Sequence, residues 1–340
     1  MTATAAAPGM ATAADVAAAL RRRGPGWQVV ARKELAETLT SVRFAVLVVL
    51  LGLAATAPVY AASGAIRDAA EQASGASAIF LALFTYAQDP IPSFTALVGF
   101  LAPLLGIGFG FDAVNDERAQ RTLPRLLSQP IYRDDVVNGK FAAGLLAIAT
   151  TVVALTMLVA GLGLVRLGIV PAPVEVLRMV VWLIVTILYV GIWLAFAMLC
   201  SVLLPRPAAS ALVALGVWLG LTVFGALVAS IVAGALSPAG PDAAIQEQLA
   251  NAQLRQLLSS ISPNTLYQQA SAGLLSPGVT TLGVPSGIGQ LLQASQQIPT
   301  RLSLDQSLLL VWPQVVVLFA VLAGLFAAAY ASFLRQEVRA

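Results

Sequence analysis

Ten charged side chains crowd the stretch from Asp112 to Lys140, in a 340-residue chain of which only 10% is charged. Five are acidic (Asp112, Asp116, Glu117, Asp134, Asp135) and five are basic (Arg118, Arg121, Arg125, Arg133, Lys140). Such a set could serve hydrolysis, phosphate binding or the docking of another protein. The chain has no histidine, which removes Ser-His-Asp and Cys-His nucleophiles and His-ligated zinc. Neither H-E-x-x-H nor a pair of aspartates inside an apolar segment is present, so an intramembrane hydrolase is not supported. One cysteine, Cys200, makes no internal disulfide, and beside Met198 in an apolar stretch it reads as a small packed residue. Gly139-Lys140 is followed by Phe141, and position 134 is Asp, so the phosphate-cradling G-x-x-x-x-G-K-[ST] loop is missing. Docking remains. Leu123, Leu126 and Leu127 form an apolar stripe flanked by Arg118, Arg121 and Arg125; Pro130 then breaks the chain, and Asp134 or Asp135 is placed to cap a second short helix. A charge-balanced elbow with one apolar stripe suits the binding of a soluble protein.

The elements around this elbow are apolar. Hydrophobic residues make up 59% of the chain and mean hydropathy is +0.86, whereas soluble domains carry about 25% charged residues. Six stretches free of Asp, Glu, Lys and Arg are long enough to cross a bilayer: Phe44–Ala62, Phe94–Phe111, Phe141–Val165, Met179–Leu204, Ala208–Ala235 and Leu308–Phe333. Backbone amides in hydrocarbon must be paired internally, so the spacing predicts an all-α integral membrane protein with six transmembrane helices. Lys and Arg fall fourteen to five in favour of the side holding the N-terminal tail, the Asp112–Lys140 loop, Arg206, Arg335 and Arg339. Discounting the long segment 236–307 leaves fourteen to three, which predicts cytoplasmic termini in a multi-pass cell-membrane protein. The small net charge of +3, without dense basic segments among aromatics, gives no support for a nucleic-acid partner.

Residues 1–26 read as a disordered cytoplasmic tail, because the Arg21-Arg22-Arg23 cluster follows the Ala-rich stretch and Asp15 interrupts it, the reverse of a signal peptide. Over 27–43, Trp27, Val30, Ala31, Leu35, Leu39 and Val42 share one helical face, with Arg32, Lys33, Glu34 and Glu37 on the rest. This predicts an interfacial helix in contact with membrane lipid, anchored by Trp27 and turning into the first crossing at Ser41–Arg43. The segment 236–307 is expected outside, with a helix through Ala250, Leu254, Leu257, Leu258 and Ile261, then Ser262 and Pro263 as N-cap and first residue of another. It could shield the bundle's outer mouth or bind an extracytoplasmic partner. Gly106, Gly108 and Gly110 behind Pro103 are open to two readings, close packing or a flexible end to the second crossing. Gly216 and Gly220 have the spacing that lets two helix backbones approach.

The loop resembles that of the membrane subunits of type-2 ATP-binding-cassette (ABC) transporters, particularly the branch with the permease of the copper-processing system in nitrous oxide reductase maturation. The likeness rests on Asn115-Asp116-Glu117-Arg118, Arg121-Thr122-Leu123, Leu126-Leu127-Ser128-Gln129-Pro130-Ile131, Arg133 and Gly139-Lys140-Phe141. Arg32-Lys33-Glu34-Leu35 and Ser262-Pro263-Asn264-Thr265-Leu266-Tyr267 support it. Members usually have Gly before the Thr-Leu step, where this chain has Arg121. The resemblance implies a type-2 exporter fold whose elbow is a coupling helix seated in a separate ATPase subunit. Glu117, Arg118, Arg121, Leu123, Leu127, Pro130, Arg133 and Lys140 would make or brace that contact, and Trp27, Arg32, Lys33 and Leu35 would belong to the connecting helix. Two permease chains and two ATPase chains would form the working unit. ATP and Mg would bind in the ATPase; no cofactor, metal or catalytic residue is expected in this chain. The residues agree on one point: with no ionisable groups inside the six apolar stretches, an ion-coupled carrier lacks its usual binding groups. The alternative class is a scaffold that transmits force to an external partner without passing a substrate.

Overall fold

A computed structural model describes residues 26–72, 79–87, 90–119, 132–168, 170–238, 244–276 and 302–335. The expected tail and the elbow residues Arg121, Leu123, Arg125, Leu126, Leu127 and Pro130 lie outside them. The described fold is helical: α1 (Gly26–Leu39), α2 (Val42–Gln72), α3 (Ile79–Thr85), α4 (Phe94–Leu101), α5 (Pro103–Gly110), α6 (Asn115–Ala119), α7 (Arg133–Leu167), α8 (Pro173–Leu203), α9 (Pro207–Leu219), a π-helical segment (Gly220–Phe224), α10 (Gly225–Leu236), α11 (Ile245–Ser259), α12 (Pro263–Leu275) and α13 (Leu304–Arg335). Six stretches are long and apolar enough to cross a membrane: α2 over Val42–Tyr60, α4 to α6 together, α7, α8, α9 to α10, and α13. Each includes most or all of one of the expected crossings. An even number returns the chain to its starting side, so α1, α6, the start of α7 and the end of α13 share one face.

Helix α8 is the hub. It packs against α5, α7, α12 and α13 and buries Trp182, Tyr189, Val190, Trp193, Leu194, Ala195, Ala197 and Met198. The second crossing lies close against it because two of its positions have no side chain. A Cβ at Gly106 would lie 2.6 Å from Val190 O, and one at Gly110 would lie 2.7 Å from Leu194 O. These glycines therefore serve close packing, the first of the two readings of the Pro103–Gly110 stretch. Pro103 stands at the first position of α5, where a missing amide hydrogen costs least.

The segment after α10 does not simply project outward. Asn251 of α11 donates to the carbonyls of Ala233 (3.0 Å) and Ser237 (2.6 Å) at the end of α10. The Ser260–Ser262 turn, in contrast, reaches Gly225, eleven residues and roughly 16 Å back along the fifth crossing. Helices α11 and α12 thus form a hairpin that dips into the bundle. Its second arm is fixed to α8 by polar side chains. Trp182 Nε1 donates to Ser271 Oγ (3.0 Å) and the Tyr189 and Tyr267 rings stack with centroids 4.5 Å apart, while Tyr189 OH ties α8 to α4 by donating to Gly99 O (2.8 Å). Arg178 closes the end of the hairpin opposite its turn: Nη1 donates to Leu274 O and Ser307 Oγ (both 2.9 Å), and Nη2 to Leu302 O (2.6 Å). Arg178 was expected just outside the fourth crossing, yet it lies inside α8 and is only 3% exposed. Three acceptors at hydrogen-bond distance are what make a buried guanidinium tolerable.

Packing at Gly106 is directly testable. Gly106→Val should lower stability by about 1–3 kcal/mol through overpacking against the α8 backbone. Gly324→Ala, where a Cβ would meet nothing within 4 Å, should leave stability unchanged or raise it by up to ~1 kcal/mol, Ala being the better helix former. Thermal melting of the purified chain in detergent checks both.

Candidate coupling site

Helix α7 starts after Tyr132, whose extended backbone (φ −70°, ψ 152°) ends the preceding connection. Asp134 and Asp135 fall in its first turn, where negative charge is favoured by the helix dipole. The separate short helix expected there is absent: Arg133–Leu167 is one continuous helix of 35 residues, because nothing after Pro130 interrupts it. Two turns in, a Cβ at Gly139 would lie 2.6 Å from Val30 Cβ and 2.8 Å from Trp27 O. Only glycine lets α1 cross at that distance. The crossing buries Val30 and Ala31 of α1 and packs Gly26 against the Asp135 carboxylate.

The next residue, Lys140, ties three elements together. Its ammonium is 2.8 Å from Glu117 Oε1 of α6 and 3.2 Å from Glu34 Oε1 of α1. The Lys140 side chain is 8% exposed, and those of Glu117 and Glu34 are 18% and 20% exposed. Taking three charges largely out of water is costly, and the Coulombic return requires all partners in place. Glu34 also lies 3.6 Å from Lys33 Nζ, which is 3.3 Å from Glu37 Oε1 at the exposed edge of α1.

Short α6 is held from the other side by the end of α8. Ser201 Oγ accepts from the backbone amides of Val114 (3.0 Å) and Asn115 (3.2 Å), supplying an acceptor where a helix start leaves amides unpaired. Arg118 Nη1 donates to Val202 O at 3.1 Å, and Asn115 Nδ2 to Leu204 O at 3.4 Å, occupying carbonyls at the end of α8. Arg43 at the start of α2 pairs with Asp112, and its guanidinium lies 5.7 Å from the Phe111 ring centroid. The turn into α2 is fixed by Ser41, whose Oγ accepts from Phe44 N at 3.1 Å and donates to Thr38 O at 2.7 Å.

The structure therefore brings Glu117, Arg118 and Lys140 together at one corner. Arg133 is exposed at the first turn of α7, Arg32 and Lys33 are exposed on α1, Leu35 is half-buried and Trp27 is 38% exposed. Three residues belong to the site that sequence reasoning did not single out as such: Glu34, Gly139 and Ser201. Glu34 had a signal, since it lies three and four positions after Ala31 and Val30 and so shares their buried face. Ser201 had none; its role depends on where α6 returns to the bundle.

Lys140→Met should destabilise the chain by about 2–3 kcal/mol, somewhat less than the loss of a fully buried pair, because it leaves Glu34 and Glu117 without their shared cation. A double-mutant cycle of Lys140→Met with Glu117→Gln should give a coupling energy well above that of the exposed Lys33 and Glu37 pair, expected at ~0.3–0.5 kcal/mol. Equal coupling energies would mean that burial adds nothing.

With this geometry in view, the family model described as ABC-2 family transporter protein matches residues 28–338. No curated protein matches the chain. The match takes in α1, all six candidate crossings, the Lys140 corner and the hairpin, and the chain belongs to the ABC-2 family of transporter proteins as a multi-pass membrane subunit.

Proposed function

We propose that this chain is the membrane-spanning half of an ATP-driven exporter, powered by a separate ATPase subunit that docks on the face holding α1, α6 and the start of α7. The observation that carries the reading is the Lys140 contact with both Glu34 and Glu117. A push on the elbow between α6 and α7 reaches a corner in which the second crossing, the third crossing and the surface helix are joined by charge. Exposed Arg133, with Arg121, Leu123, Leu127 and Pro130 of the elbow, meets the ATPase, whereas Glu117 and Lys140 brace that contact from behind. Arg118, through Val202 O, extends the brace to the fourth crossing. Helix α1 lies along the cytoplasmic lipid surface with Trp27 as its anchor, as the count of basic residues supports.

This chain, a second permease chain that is either a copy of it or a different one, and two ATPase subunits make the working unit, in the cytoplasmic membrane of a prokaryote with both termini inside. ATP and Mg bind the ATPase. Within the family, the residues of the elbow motif support a likeness to the branch containing the nitrous oxide reductase maturation permease.

Two measurements test this. Affinity purification of the tagged chain in mild detergent should recover a soluble subunit with a Walker A motif in near-equal amount; its absence would leave the elbow without its assigned partner. Glu117→Gln should retain that subunit and its basal ATP hydrolysis, while substrate-dependent stimulation falls at least about tenfold. Retained stimulation would move the brace elsewhere.

A further inference from the structure

Pro103 opens α5, yet the backbone before it is already helical: Ala102 has φ −61° and ψ −31°, and its amide donates to Val98 O at 2.9 Å. In a continuous helix the next bond would run from the amide of residue 103 to the carbonyl of residue 99, and proline has no such hydrogen. The ladder of the second crossing therefore lacks one rung, and the cost falls on Gly99 O. Gly99 is buried, and a buried carbonyl left without a donor is destabilising.

The missing donor comes from another helix. Tyr189 OH of α8 donates to Gly99 O at 2.8 Å. Asn264 Oδ1 is farther, at 3.4 Å, and the hydroxyl has a single hydrogen to give, which the shorter contact takes. The Tyr189 ring is itself held by the hairpin, stacked on Tyr267 with the planes 13° apart. Gly99 admits this arrangement because it has no side chain: a Cβ there would lie 2.9 Å from Tyr267 Cε1 and would overlap Gln268 Nε2. One residue thus meets α8 through its oxygen and α12 through its bare Cα. Membrane helices tolerate proline where a neighbour satisfies the freed backbone group, and here that neighbour stands at a boundary. On the Glu117 side of Pro103, α5 touches the α8 backbone at Gly106 and Gly110, and α6 is bonded to the end of α8 through Ser201 and Arg118. On the other side, α4 packs against α12 at Gly99. A helix that lacks a rung bends most easily there, and the Tyr189 hydroxyl opposes that bending.

We propose that Tyr189 is a positioning residue for coupling: by giving Gly99 O the partner that Pro103 denies it, its hydroxyl makes the two halves of the second crossing move together. A displacement at Glu117, eighteen positions and roughly 27 Å of helix away from Gly99, then reaches the hairpin. The use of this path in transport rests on the ATPase reading; the bond and the stiffness that it confers do not.

Two measurements on the full chain test this. In equilibrium unfolding by SDS in mixed micelles, Tyr189→Phe should lower the folded-to-unfolded ratio about fivefold, the worth of roughly one net hydrogen bond. In a Pro103→Ala background, where the new amide supplies Gly99 O, the same substitution should lower it by under about twofold. Pro103→Ser serves the same purpose should Pro103→Ala fail to fold. A role in packing alone would cost the same in both backgrounds, and that result overturns the proposal. In lipid nanodiscs, hydrogen–deuterium exchange of the amides over 263–275 is then followed by mass spectrometry. Glu117→Gln should speed it about threefold. Added to Tyr189→Phe, Glu117→Gln should change nothing further, and in Tyr189→Phe with Pro103→Ala the threefold response should return. A hairpin that responds equally without the hydroxyl, or that never responds to Glu117→Gln, also overturns the proposal. Neither measurement uses an ATPase, so failure to recover a Walker A subunit with the tagged chain bears on the ATPase reading alone.

Discussion

A buried lysine facing two carboxylates holds the corner where α1, α6 and α7 meet. Lys140 sits one position beyond the glycine that lets α1 cross α7, so the packing of the surface helix and the placing of the ammonium follow from adjacent residues. An ion set of this kind is exacting: three desolvated groups are stable together and costly when one is missing. That makes the corner behave as a unit. Arg118 and Ser201 then join it to the end of α8, which packs against α5, α7, α12 and α13. Hydrogen bonds from Arg118 and to Ser201 thus connect this corner with the most buried of the candidate crossings.

The other face uses different chemistry. Around α8 the hairpin is held by aromatic stacking, neutral hydrogen bonds and a single guanidinium, with three acceptors converging on Arg178. Irregular backbone at membrane depth is tolerated where protein surrounds it, and the Ser260–Ser262 turn meets that condition at buried Ser262 but not at exposed Ile261. It is less well covered towards the fifth crossing, where helical regularity is also broken and a cavity opens. The most tightly bound and the least filled parts of the hairpin are therefore its two opposite sides.

The large features were legible because lipid imposes them. Six uncharged apolar runs had to be helices, and each is included, largely or wholly, in a stretch of the structure apolar enough to cross the membrane. The helical spacing from Ala250 to Ile261 predicted α11, and Ser262 with Pro263 marked the start of α12. Where expectation and structure part, the reason is a neighbour unseen in the local sequence. Ser262 occupies the cap position without capping. Asp134 and Asp135 begin the third crossing itself instead of a separate helix. Arg178 reads as an external charge by its place before an apolar run, but the carbonyls that bury it come from residues 274 and 302.

Composition and periodicity by themselves thus determined the solvent of this protein, the number and rough limits of its crossings, and the concentration of charge in one connection, since each follows from the cost of exposing polar groups to hydrocarbon. Tertiary structure decided which charges meet. Glu34, Glu117 and Lys140 are separated by 83 and 23 positions, and Ser201 stands 86 and 87 positions from the two amides it accepts from. No local pattern encodes such pairings, because they depend on how helices cross, and that is set by where glycines such as Gly106, Gly110 and Gly139 allow backbones to touch.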